Sequence, residues 1–294
     1  MDSALTTIGL PIALAIIMFG LGLSLVPDDF RRVARQPRAV AVALGCQLVV
    51  LPLLCFGLVK LLDLPPLLAV GMMLLAASPG GTSANLFSHL FRGDVALNVS
   101  LTAINSVVAI ASLPVITNLA ISHYGLGDEV SLQFSKVVEV FAVVLVPVVL
   151  GMLVRARAES FALRMDKPVR TGSAVILGVL VLGILLDQRS NVGDYLADVG
   201  LAAALFCAMS LVIGYVVPRA ADVREAQAIA SSMEIGVHNA TLAIFVAVEV
   251  LDSTPISVPA AVYSIFMFVF AALWGVVLTR WLARSTEPAA SAAA

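Results

Sequence analysis

Residues 78–85 read Ser78-Pro79-Gly80-Gly81-Thr82-Ser83-Ala84-Asn85, and they interrupt an otherwise apolar run between 66 and 91. A run of that length is what a membrane-spanning helix needs, roughly 20 apolar residues. Pro79 lacks a backbone donor and its ring clashes with the preceding helical turn. Gly80 and Gly81 remove the steric barrier to unwinding. The sequence therefore predicts a helix broken at mid-membrane depth. Unwound backbone is tolerated there only inside protein or against a water-filled cavity. A lone proline would read as a kink. Pro-Gly-Gly flanked by Ser78, Thr82, Ser83 and Asn85 predicts a discontinuous helix that carries a polar site.

The rest of the chain fits a bilayer. Of its 294 residues 61% are hydrophobic and only 12% charged, against about 25% charged in a soluble domain. Mean hydropathy is +1.05. The net charge of -2 gives no reason to expect nucleic-acid binding. Nine stretches are apolar enough to span: 8–26, 39–62, 66–91, 95–122, 137–154, 171–186, 199–217, 225–250 and 258–282. With the N-terminus outside, 14 basic residues fall on the inward side, at 31–38, 92, 155–170, 219–224 and 280–284. Only Lys60, Lys136 and Arg189 face outward, and together these make all 17. That asymmetry obeys the positive-inside rule. The first segment has Asp2 and no basic residue before its apolar stretch, so it reads as a span and not as a signal peptide. The tail 285–294 is small and polar and is expected to be disordered. Cys46, Cys55 and Cys207 lie in apolar runs without metal-ligand spacing and read as packing residues.

A second polar cluster lies inside the eighth span: Ser231-Ser232-Met233-Glu234-Ile235-Gly236-Val237-His238-Asn239-Ala240-Thr241. It holds Gly236 but no proline. A charge at bilayer centre costs about 3 kcal/mol on the insertion scale, so Glu234 is a functional candidate. Its bland counterpart is a protonated, hydrogen-bonded Glu in a helix bundle. The two clusters occupy the third and the second-to-last spans, equivalent places in two inverted repeats. Paired broken helices put an ion and substrate site near the midplane. Half-helix N-termini favour anions, while freed carbonyls, side-chain oxygens and a carboxylate suit a hard cation such as sodium.

These residues carry a resemblance. Ser78 through Asn85, Arg92-Gly93-Asp94, the Glu234–Asn239 stretch and Asp29-Phe30-Arg31-Arg32 together resemble the bile acid:sodium symporter family, bacterial members in particular, over essentially the whole chain. The resemblance implies an all-α integral membrane transporter whose broken third and eighth spans cross in a core domain (39–122 and 199–282). A panel domain (8–26 and 137–186) would move against it in alternating access. By similarity, one sodium site draws on Ala84, Asn85, Asn98, Thr102 and Glu234. A second draws on Gln47, Glu234, His238 and the carbonyls of Ile235 and Val237. Substrate would meet Thr82, Ser83 and Asn239, with the helix breaks at Pro79, Gly80, Gly81 and Gly236. The implied function is sodium-coupled symport of a small organic anion, a carboxylate, across a bacterial inner membrane. No organic cofactor, nucleic acid or protein partner is implied.

Three departures from the family pattern matter. Ala84 and Asn98 stand where serines are common, and His238 where glutamine is common. An imidazole is a poor ligand for a hard cation. Three readings of His238 stand: it abolishes the second sodium site, it turns coupling toward protons, or it only hydrogen-bonds the crossover backbone. Proton-coupled or uncoupled transport is therefore the alternative. A remoter one is an intramembrane hydrolase using a serine and His238, although the Gly-x-Ser-Gly context of a nucleophile is absent. ATP-driven transport lacks a phosphate-binding loop.

Overall fold

The computed structural model describes residues 10–26, 36–127, 134–165 and 192–291, with scattered positions between them. The expected sixth span, 171–186, lies largely outside the described residues, as does Arg189. The described residues form helices, and four of these are long and apolar enough to cross a membrane: Pro37–Leu61, Val95–His123, Leu196–Ala220 and Thr254–Trp281. A chain with this hydropathy has only helices or closed barrels open to it in lipid.

In chain order the helices are α1 (Leu10–Ser24), α2 (Pro37–Leu61), α3 (Pro66–Ala77), α4 (Thr82–Leu90), α5 (Val95–His123), α6 (Phe134–Arg157), α7 (Val192–Ala220), α8 (Glu225–Gly236), α9 (Ala240–Val250) and α10 (Thr254–Ser291). The polar stretch 78–81 parts α3 from α4, and 237–239 parts α8 from α9. Each pair is thus one span in two halves. Two helices hold a single π-helical turn, at Cys46–Val50 in α2 and Val246–Val250 in α9. The former turns Gln47 into the protein. The last helix runs on to Ser291, through most of the residues expected to form a loose tail. Ala289 and Ala290 are strong helix formers, although Pro288 inside this stretch removes one backbone hydrogen bond.

Helices α3, α4, α8 and α9 lie among α2, α5, α7 and α10. Their faces are closely fitted. A Cβ on Gly71 would meet the Ile256 carbonyl and Pro259, and one on Gly214 would meet the Ser232 backbone. Helices α1 and α6 make their main contact with each other. There Gly22 and Gly151 lie backbone to backbone, so that a Cβ on either would strike the other helix. Small residues that let backbones approach are the usual device for helix association in lipid.

Candidate functional site

The two unwound segments meet. Gly80 and His238 form an antiparallel bridge in which Gly81 N–H donates to the Val237 carbonyl (2.7 Å) and Asn239 N–H donates to that of Pro79 (2.8 Å). Each break therefore satisfies backbone groups that the other has freed. Other freed groups are also taken. The Ser78 carbonyl accepts from Gln47 Nε2 (2.9 Å) and lies 3.2 Å from His238 Nδ1. The Gly236 carbonyl accepts from Tyr263 Oη (2.8 Å). The accounting that a buried break demands is largely met by the protein itself.

Glu234 sits in the last turn of α8, fully buried, and all its contacts are donors. Thr102 Oγ1 donates to Oε2 (2.5 Å), Asn105 Nδ2 donates to Oε1 (3.1 Å), and the Gly80 N–H completes the set. Hydrogen bonds to a charged group contribute roughly 1.5–3 kcal/mol each. Together they offset a burial cost of several kcal/mol per ion. Gly80 is glycine for a spatial reason: a Cβ there would fall on the Glu234 carboxyl group.

In the helices that meet at the crossover, and in those packed on them, lie buried side-chain oxygens without partners. Asn85, Asn98 and Asn105 each bury an Oδ1 that accepts nothing, and Gln47 buries an Oε1 in the same condition. Asn98 spends its Nδ2 on Ser88 Oγ (2.9 Å) and on the Ala230 carbonyl (2.7 Å), tying α5 to α4 and α8. Asn98, Thr102 and Asn105 follow one another at i, i+4 and i+7, on one face of α5. Buried polar atoms are normally paired, so such a gathering of free acceptors suits a cation bound by oxygen. Among the described residues no cluster of three His, Cys, Asp or Glu forms, which leaves a transition metal without a ligand set.

The other predicted residues are placed as follows. Ala84 is buried, so its methyl offers nothing and only its carbonyl could serve a cation. Asn239 caps α9, its Oδ1 accepting from Leu242 N–H (3.0 Å). Gly236 is the last helical residue of α8 and not an unwound one; its hydrogen leaves room for Leu211 on α7. Ile235 and Val237 are fully buried. His238 stacks on Phe206 (5.6 Å between centroids) and meets Tyr263 edge-on. Because a carbonyl can only accept, Nδ1 must carry the proton, which leaves Nε2 buried and unpartnered.

Thr82 and Asn85 open onto a cavity of about 370 Å³ between α4, α5 and α1, where Ile17, Gly20, Leu21 and Ser24 form the far wall. The N-terminus of α4 reaches this cavity with no side-chain cap, whereas α9 is capped by Asn239. Ser83 is half-buried beside Thr82 but does not line the cavity. Sequence reasoning missed Asn105, although its place one turn beyond Thr102 on the same face was visible. It also missed Phe206 and Tyr263, which nothing local distinguishes from ordinary core aromatics.

The sequence profile of the sodium bile acid symporter family matches residues 11–195, which ends before the Glu234 segment. Longer matches reach further. The chain is 30% identical over 270 residues to the probable sodium/metabolite cotransporter BASS1, chloroplastic, of Arabidopsis thaliana, covering 90% of this chain and 66% of that protein. It is 28% identical over 256 residues to the uncharacterized sodium-dependent transporter YocS of Bacillus subtilis, covering 87% and 78%. Similarity to the human P3 protein is 28% over 214 residues, 71% of this chain and 44% of that one. The chain thus spans just under two thirds of the length of the plant BASS1 relative.

Proposed function

This chain belongs to the sodium bile acid symporter family, and from that premise we propose that it is a secondary transporter coupling sodium to the passage of a small organic anion. It is a multi-pass membrane protein and a transporter, not an enzyme. The observation that carries the coupling is Glu234, a carboxyl group buried where two broken helices cross, among amide oxygens that lack a donor. Both relatives with transport in their names are described as sodium-linked.

In this reading sodium is bound by Glu234, Thr102, Asn98, Asn85 and the Ala84 carbonyl. One sodium ion is carried at this face. On the opposite face Gln47 and His238 direct N–H groups at the Ser78 carbonyl, so that this carbonyl already has donors where a second ion would be its partner. The anion lies at the uncapped N-terminus of α4, whose N–H groups and dipole favour negative charge, with Thr82 as hydroxyl donor. Among the described residues no Lys or Arg lines the cavity. Its size is at the small end of ligand pockets, about 300–1,000 Å³, and fits a small carboxylate better than a bulky one. The cavity lies along the second half of α1, α4 and the first half of α5, next to the Arg92 turn. With the N-terminus outside and basic loops inside, the protein faces inward. The α1–α6 pair acts as the panel and the remaining helices as the core that moves against it. The membrane is the bacterial inner membrane, with the C-terminus cytoplasmic.

The test is a thermal-shift titration of purified protein with sodium against choline, alone and with a panel of carboxylates. A ligand of the folded state raises its melting temperature by mass action. Sodium-dependent stabilisation that Glu234→Gln removes supports the reading. An equal shift in Glu234→Gln would refute the ion-site assignment. Uptake in vesicles that ignores sodium but follows a pH gradient would favour proton coupling, for which the unpartnered His238 Nε2 is the relevant observation.

A further inference from the structure

Asn105 stands apart from the residues assigned above. It is 2% exposed and donates Nδ2 to Glu234 Oε1 at 3.1 Å, while its own Oδ1 accepts nothing. A carboxamide has two faces of opposite sign. In this structure the positive one meets the carboxylate and so fills the place a cation would take. Turned by half a revolution about its Cβ–Cγ bond, the same group would bring Oδ1 to Glu234. Two oxygens facing each other repel unless a cation lies between them, and then both become ligands. The neighbours on the helix do not share this property. Asn98 commits both Nδ2 hydrogens to Ser88 and Ala230, which fixes its orientation. Thr102 Oγ1 already lies against both Glu234 and the Asn98 carbonyl.

We infer that Asn105 is a switchable cation ligand: its amide holds Glu234 when no sodium is present and turns its oxygen onto the ion when sodium arrives. The inference rests on the sodium reading of the Glu234 site. It adds a residue to that site and gives the empty carrier an internal surrogate for the ion, which keeps the acid from being left buried and unpaired.

The experiment titrates sodium against choline at constant ionic strength on purified protein, read by melting temperature, for wild type, Asn105→Ala, Asn105→Asp and Glu234→Gln. Asn105→Ala loses both faces of the amide, and half-saturating sodium rises at least tenfold. Asn105→Asp keeps an oxygen and loses the N–H donor, so sodium binds no more weakly than in wild type. Were Asn105 merely a donor that orients Glu234, Asn105→Asp would bind sodium as poorly as Asn105→Ala or worse, and that result overturns the inference. Should Asn105→Asp not fold, infrared difference spectra (sodium minus choline) decide. Asn85 and Asn98 contribute carboxamide carbonyl bands of their own, so the loss of one such band from the wild-type set in Asn105→Ala is expected; a carboxamide region unchanged in Asn105→Ala overturns the assignment. The two levels of failure are separable. A sodium shift that survives Glu234→Gln sinks the parent reading, whereas its loss in Glu234→Gln with wild-type behaviour in Asn105→Ala sinks only the role of Asn105.

Discussion

Replacing Gly80 by alanine adds one methyl group and asks a narrow question. Gly80 does not have a positive φ, since among the described residues Gly125 is the only glycine that does. Alanine is therefore compatible with the backbone, and any effect must come from what the Cβ touches. It would fall on Cδ, Oε1 and Oε2 of Glu234. The Gly80 backbone is held by its bridge to His238, so the carboxyl group is what moves. Moving it breaks the bonds from Thr102 and Asn105. At roughly 1.5–3 kcal/mol for each bond to a charged group, about 3–6 kcal/mol of stabilisation is at stake. Relaxation of the α8 end recovers part of this, so a loss of about 2–4 kcal/mol is expected, within the usual range for overpacking and broken buried networks. The assay pairs denaturation in detergent with sodium-dependent melting shifts in a double-mutant cycle. Gly80→Ala alone should destabilise the protein and abolish its response to sodium. In a Glu234→Ala background the added methyl finds empty space, and its cost should fall below about 1 kcal/mol, a coupling in the range seen for residues in contact. If Gly80→Ala keeps the wild-type sodium response, or costs the same with and without Glu234, the carboxyl group is not where this reasoning puts it.

Other expectations follow from single contacts. Asp94 caps α5 through Leu97 N–H (3.0 Å), so Asp94→Ala should cost about 1 kcal/mol of stability, seen as a lower denaturation midpoint with sodium affinity unchanged. Thr82→Val should raise the KM for the anion several-fold while leaving the sodium-induced shift in place, because Thr82 lines the cavity while the hydrogen bonds to Glu234 come from Thr102, Asn105 and Gly80. His238→Gln replaces an obligatory N–H donor to the Ser78 carbonyl with a group that can also present an oxygen. The Hill coefficient for sodium in uptake should then rise from about 1 toward 2; a wild-type coefficient already near 2 would refute the single-ion reading. Gly22→Val drives a side chain into the Val148 carbonyl on α6, and should part α1 from α6 and slow uptake without weakening sodium binding to the core.

Much of the site was legible because its chemistry is written locally. Pro79-Gly80-Gly81 announces a break through covalent geometry alone, and Glu234 stands out because a charge in lipid is costly wherever it lies. Part of what escaped depends on pairs far apart in the chain. Gly80 reads as a flexible residue, but its hydrogen is required by a carboxyl group 154 positions later. Gly236 reads as a hinge and is instead a space for Leu211. Asn239 reads as a substrate ligand, and its Oδ1 also caps the helix that follows it, through Leu242 N–H. The π-helical turn that aims Gln47 inward has no marker in Cys46-Gln47-Leu48-Val49-Val50. For Gly80 and Gly236 the deciding partner belongs to another helix, and periodicity within one helix carries no record of it.

The crossover explains why both helices are broken and not one. A single break in the membrane leaves carbonyls and N–H groups that need outside partners. Two breaks set antiparallel supply them to each other, through the Pro79–Asn239 and Gly81–Val237 bonds. That frees the remaining polar groups for ligands. It also fixes the N-terminus of α4 relative to Glu234, since Gly80 belongs to the bridge and to the cradle of the carboxyl group alike. A cation that repositions Glu234 must act on Gly80, and through Gly81 on the first turn of α4, where the anion is proposed to bind. On the proposed sites, coupling between the two ligands needs no long pathway: it would be carried by three consecutive residues, Gly80, Gly81 and Thr82, whose backbone both sites would share.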